Sequence, residues 1–225
     1  MDRIPEPELM DEDEQARAYA EADFEAPHSA CVDLLREKCA SLPGSGVAID
    51  LGCGPGDITF RFARAFPEWE IDGIDGAAAM LRYGQQALMR DGLADRVRLV
   101  HSYLPVDELP RAPYDFVFSN SLLHHLERPM VLWDTVKQAA APGASVFVMD
   151  LARPESREEA ERMVEEYSGS EPPILKKDFF HSLLAAYRVD EVKEQCAQAG
   201  LRLTVEMCSD RHWIAWGEVG SGDSD

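Results

Sequence analysis

The chain has no long apolar run, no Cys-x-x-Cys pair, no basic surplus and no internal repeat. Nothing approaches the roughly 20 consecutive apolar residues that a membrane helix needs. The acidic, polar opening is unlike a secretory leader. A cytoplasmic protein with no membrane partner is therefore expected. The five cysteines (Cys31, Cys39, Cys53, Cys196, Cys208) are scattered and odd in number. They point to reduced, mostly buried thiols rather than a disulfide framework or a zinc site. Basic residues number 22 against 42 acidic ones, a formal charge of −20. Such a chain repels phosphate backbones, so a nucleic-acid partner is disfavoured.

What is present is the inventory of a globular protein. The 225 residues, 45% of them hydrophobic, suffice for one sizeable core. An acidic segment comes first, with a helix expected over 8–24 (Leu9, Ala16, Tyr19, Ala20 and Phe24 inward) and a second over 28–40 after Pro27. Strands are then expected at 47–51, 69–75, 96–101, 114–119 and 144–150. Helices alternate with them at 57–66, 77–90 and 129–140. This rhythm implies a parallel α/β sheet with helices on both faces. Two further helices, 155–167 and 178–187, interrupt it and are separated by Pro172-Pro173. A helix at 189–199 precedes strands at 201–208 and 212–217. Their tight turn makes the last strand antiparallel to the rest. The domain reading is a helical N-terminal cap over 1–42, one α/β domain over 43–217 with a helical insert at 153–188, and a disordered tail over 218–225.

Parallel α/β sheets bind ligands at the carboxyl ends of their strands. The first strand ends in Asp50-Leu-Gly52-Cys-Gly54-Pro-Gly56, a turn nearly free of side chains against which a flat polar molecule can lie. The second strand ends in Asp75-Gly76, where a carboxylate accepts two hydrogen bonds from a ribose diol. The third leads to Ser102 and Tyr103, beside an adenine, and the fourth to Asn120.

With these residues, and with Met80-Leu81, Ser121-Leu-Leu-His-His-Leu and Pro142-Gly143, the chain resembles the class I S-adenosylmethionine-dependent methyltransferases over about 40–217. The resemblance implies strand order 3-2-1-4-5-7-6, a doubly wound seven-stranded sheet with the last strand antiparallel. It also implies S-adenosylmethionine as cofactor and S-adenosylhomocysteine as product. Gly52 and Gly54 would then pass under the methionine part, Asp75 would hold the ribose and Met80 would pack on the adenine. Many members carry Gly-Asp after the third strand, where this chain has His101-Ser102. A nicotinamide dinucleotide fits less well. Its glycines are spaced Gly-x-Gly-x-x-Gly, and Asp57, where the next helix begins, would repel a pyrophosphate.

Methyl transfer from a sulfonium needs alignment, exclusion of water and, for a high-pKa nucleophile, a base. His124 and His125, read as starting the helix after the fourth strand, are the base candidates; the alternative is a histidine that bonds backbone or orients the cofactor. Arg211 and His212 in the last hairpin, and Arg153 after the fifth strand, are candidates to meet an anionic substrate group, or else surface groups. Tyr19 is a candidate lid residue facing the sulfonium. Trp133, Trp213 and Trp216 read as core. No metal site is expected, because adjacent His124 and His125 cannot share one helical face. The activity expected is methyl transfer to a small-molecule acceptor. A nucleoside-binding sensor without turnover, or an enzyme acting on protein or RNA, are the alternatives.

Overall fold

The structure is a computed structural model that describes residues 1–6 and 11–220. Seven strands form one sheet: β1 (Gly46–Leu51), β2 (Trp69–Asp75), β3 (Val97–His101), β4 (Tyr114–Asn120), β5 (Ala140–Leu151), β6 (Thr204–Met207) and β7 (His212–Glu218). Their order is β3-β2-β1-β4-β5-β7-β6. β1 to β5 pair in parallel, while β7 runs antiparallel to both β5 and β6. The expected order and the reversed last strand are both present. The reversal follows from the short Ser209–Arg211 connection, which only antiparallel neighbours can use.

The period-two pattern of β1 sends Ile49 and Leu51 to one face and Ala48 to the other. On the first face they meet Trp133 of α5 (Met130–Ala139), Val192 of α8 (Val189–Ala199) and Trp213, all fully buried. The second face is aromatic. Phe62 of α3 (Asp57–Ala65) stacks on Phe116 and Phe118 with centroids 5.5 and 5.0 Å away, and Trp69 meets it edge-on. Helices α2 (Glu25–Lys38) and α4 (Ala78–Arg90) complete that layer through Val32, Leu35, Leu81 and Leu88. Trp216 is only partly buried, under the Lys38 ammonium at 4.7 Å. All five cysteines are free, and all but Cys208 are buried. No helix among the described residues is long and apolar enough to cross a membrane.

The region expected as one cap divides in two. α2 belongs to the sheet core, whereas α1 (Asp13–Glu21) lies on α4 and α7 (Pro173–Ala185). α1 is shorter than the helix expected over 8–24. Ala16 is buried as expected but Ala20 is exposed, and Leu9 lies outside the described residues. α2 starts at Glu25, before Pro27, because a first-turn proline forfeits only an N–H with no helical partner. Residues 1–6 form a strap to the insert: Ile4 N donates to Leu184 O, and the Met1 ammonium donates to Glu155 O. The insert is α6 (Arg157–Ser168) and α7, joined by a cluster of Leu151, Met163, Leu183 and Leu184. β5 starts earlier than expected. Pro142-Gly143 is absorbed as a register shift against β4 instead of preceding the strand. The expected tail falls partly within β7, and 221–225 lie outside the described residues.

Candidate active site

The glycine turn is held by backbone. Gly52 N and Cys53 N both donate to Ile74 O, at 2.8 and 3.0 Å. Gly52 has φ +76°, and a Cβ there would sit 2.8 Å from the Leu122 side chain. Gly54 has φ +54° and nothing within 4 Å of where its Cβ would be, so this side of the turn faces open space. Gly54 N donates to Asp75 Oδ2 at 2.8 Å, and Ala77 N donates to Oδ1 at 2.7 Å. Burial pushes the Asp75 carboxyl up, against these two bonds. Asp50, by contrast, is 1% exposed and accepts a 2.6 Å bond from Thr59 Oγ1. It braces α3 from beneath the turn. Burial, only partly offset by Thr59, raises it to about 7.

Around this turn lie the other expected cofactor residues. Ser102 N donates to Asp75 O, and His101 Nε2 meets Gly76 O at 2.9 Å. Tyr103 is exposed, with its ring edge-on to His101. Met80 is buried with Ala16 and Ala77, against the Tyr19 ring. The Tyr19 hydroxyl is pushed up to about 12 by burial and by the charges of Asp57 and Asp75. Asn120 Oδ1 accepts from Cys31 Sγ. Asp57 is not a bare charge. Burial pushes it up, but His28 Nδ1 at 2.5 Å and Arg61 Nε at 2.8 Å outweigh that and hold it below the usual range.

The β4–β5 side is built from side chains. His124 and His125 do not open α5; they lie in a separate 3-10 turn, Leu123–His125. His124 is 2% exposed. Its Nδ1 lies 2.5 Å from Asp150 Oδ1, and its backbone N donates to Oδ2. Burial opposes the charge on Asp150, but His124 and the N–H groups of Leu151 and His124 hold it below the usual range. Burial, then His124, pushes His125 down to about 3. Glu6, from the strap, accepts a 3.1 Å bond from Ser182 Oγ and lies 3.7 Å from His125 Nδ1. Burial raises its carboxyl against the pull of His124 and Ser182. Arg3 fixes the strap, donating to Ala185 O (2.5 Å), His124 O (2.9 Å) and Leu126 O (3.2 Å) and covering the Tyr187 ring.

Residues 49–146 match the family model described as a methyltransferase domain. The chain is 30% identical over 114 residues to an uncharacterized methyltransferase of Mycobacterium tuberculosis, covering 51% of this chain and 55% of that one. It is 30% identical over 149 residues to the trans-aconitate 2-methyltransferase of Variovorax paradoxus, covering 64% and 53%. The chain thus spans about half the length of the curated relatives it matches. A crystal structure of an S-adenosylmethionine-dependent methyltransferase from Aquifex aeolicus superposes with TM-score 0.70 at 18% identity, covering 92% of this chain and 98% of that one. The chain thus carries a match to a methyltransferase domain and has the fold of S-adenosylmethionine-dependent methyltransferases of known structure.

The residues present fit S-adenosylmethionine. Open space above Gly54 adjoins a carboxylate whose two oxygens each keep a lone pair after bonding to the turn. Of the expected cofactor residues, Gly52, Gly54, Asp75, Gly76, Met80, Ser102, Tyr103 and Asn120 lie in or beside the glycine turn and the ends of β2 to β4, whereas Asp50 is buried and bonded to Thr59. Of the expected substrate residues, Arg153 is buried and bonded to Glu191 Oε1 (2.6 Å) and Ala186 O, so it is committed inside the fold. Arg211 lies on the Tyr167 ring and pairs with Asp210. His212 opens β7, and burial with Arg211 pushes it down to about 4. Sequence reasoning missed Arg3, Glu6 and Asp150. Asp150 had a signal, an acid at the end of a parallel strand. Arg3 and Glu6 had none, because their partners lie more than 100 residues away.

Proposed function

We propose that this protein transfers the methyl group of S-adenosylmethionine to a small-molecule acceptor. The observation that carries this reading is the half-buried Asp75 carboxylate, bonded to the Gly54 N–H beside open space. Bound S-adenosylmethionine supplies an electrophilic methyl group on a sulfonium. The chain's part is to hold the ribose through Asp75, exclude water with α1 and the strap, and orient the acceptor.

A small acceptor is favoured because α1, the strap and α7 lie over the ligand edge and the charge is −20. Both arginines expected to meet a carboxylate are already paired. An uncharged or cationic acceptor therefore suits the site better than the trans-aconitate in the name of the Variovorax relative. His125, held neutral, orients rather than abstracts. His124 is fixed in orientation by the Asp150 carboxylate behind it.

The test is production of S-adenosylhomocysteine with panels of O-, N-, S- and C-nucleophiles, both amines and carboxylates. Turnover with a neutral or amine acceptor supports the reading. Tight cofactor binding without turnover across the panel would identify a sensor instead.

A further inference from the structure

We propose that Glu6, His124 and His125 form a three-ligand site for a divalent transition metal, Zn2+ before others. Among the described residues, these three bring donor atoms within 4.8 Å of one another. The expectation that adjacent histidines cannot converge fails here. In the 3-10 turn their rings lie 4.0 Å apart, and the third donor arrives from the far end of the chain. Two imidazoles and a carboxylate are a donor set that Zn2+ and its neighbours accept.

The surroundings are those of a metal site. His124 Nδ1 is engaged by Asp150, which leaves Nε2 as the donor. A histidine ligand whose other nitrogen bonds a carboxylate is the usual second layer around zinc. Ser182 orients Glu6 in the same way. The His125 Nδ1 atom is buried without any hydrogen-bond partner, 3.7 Å from Glu6 Oε2. A buried ring nitrogen left this way is costly, and a cation between it and the carboxylate would satisfy both. Side chains of Glu6 and His124 are 8% and 3% exposed, and that of His125 is 22% exposed. Tetrahedral zinc sets its donors about 3.3 Å apart, so the 4.8 Å cluster must close by up to about 1.5 Å through side-chain rotation. Three protein donors leave one position for water or an acceptor oxygen. Only that use on the acceptor rests on the methyl-transfer reading; the binding site itself does not.

The test uses the full chain, freed of metal by chelator dialysis. Zn2+ is titrated against a chromophoric competitor and Co2+ is followed by visible absorption. One equivalent should bind with micromolar affinity or better, and Co2+ should give a tetrahedral spectrum. Glu6→Gln and His125→Ala should each weaken binding by at least about tenfold, the scale of such losses at metal sites. His181→Ala, whose Nδ1 is 4.0 Å from Glu6 Oε1, should weaken binding less than either ligand change. S-adenosylhomocysteine titration of the same samples reports separately on folding and on the cofactor site. Wild-type protein that binds no metal at about 100 μM Zn2+, far above the affinity expected of a three-ligand site, would overturn the proposal. So would folded Glu6→Gln and His125→Ala variants that bind as tightly as wild type.

Discussion

The two halves of the ligand edge are made differently. On the β1–β3 side the shaping contacts join neighbouring strands and their turns: Gly54 to Asp75, Asp75 to Ala77, Ser102 to Asp75. On the β4–β5 side they cross most of the chain: Arg3 to His124 and Ala185, Glu6 to Ser182, Gln15 to Asp178. The first half is a backbone device, shaped by glycines and one carboxylate. The second exists only once the strap and the insert have docked on the sheet. Holding the cofactor and holding the acceptor are therefore separable tasks here, and perturbing one half should leave the other largely intact.

The largest effect should come from the buried acid of the second half. Asp150→Ala strands the His124 imidazole and the N–H groups of His124 and Leu151. Unfolding free energy from denaturant titration should fall by about 3–5 kcal/mol. A loss below about 1 kcal/mol, the scale of an exposed pair, would mean the pair is not insulated from water.

The glycines should respond next, and unequally. Gly52→Ala drives a methyl into Leu122 at a positive φ and should cost about 1–3 kcal/mol of stability. Gly54→Ala meets no protein atom, so its stability cost should be about 1 kcal/mol. Its added methyl enters the ligand's space, and the larger loss should be in S-adenosylhomocysteine affinity. Equal effects of the two on affinity would blur the distinction between wall and opening.

Releasing the strap is a gentler cut. Arg3→Ala should lower stability by about 1–2 kcal/mol and speed proteolysis near the N-terminus. Cofactor affinity measured by calorimetry should not change.

A pH slope should also come from Asp50. Its carboxyl titrates at about 7 in the folded protein, against about 4 in an unfolded chain. Between those values the folded state holds a proton that the unfolded state has released, so stability falls as pH rises through this window. Asp50→Asn should flatten that fall in thermal unfolding across pH 4 to 8. An unchanged slope would assign it to other groups.

The same contrast explains what could be read in advance. The first half was legible because its information is local: a strand, a glycine turn and an acid at the end of the next strand. The reversed β7 followed from a short hairpin, and the strand order from the family resemblance. The second half was not, since nothing near Glu6 or Arg3 names a partner, and pairing across 176 residues leaves no periodic trace. Arg153 follows β5 and Arg211 lies in the β6–β7 turn; Arg153 pairs with Glu191 of α8, whose docking the sequence does not announce, and Arg211 with its own neighbour Asp210. Helix ends were misjudged by a few residues at Pro27 and at His124, where a proline in a first turn and a 3-10 turn replaced simple helix starts.

The central claim is that S-adenosylhomocysteine binds over the glycine turn and is gripped through Asp75. Calorimetry on wild type, Asp75→Ala and Arg3→Ala tests it most directly. The account predicts one bound ligand, a loss of roughly 1–3 kcal/mol for Asp75→Ala and no change for Arg3→Ala. Wild-type protein that does not bind, or Asp75→Ala that binds equally well, would contradict it.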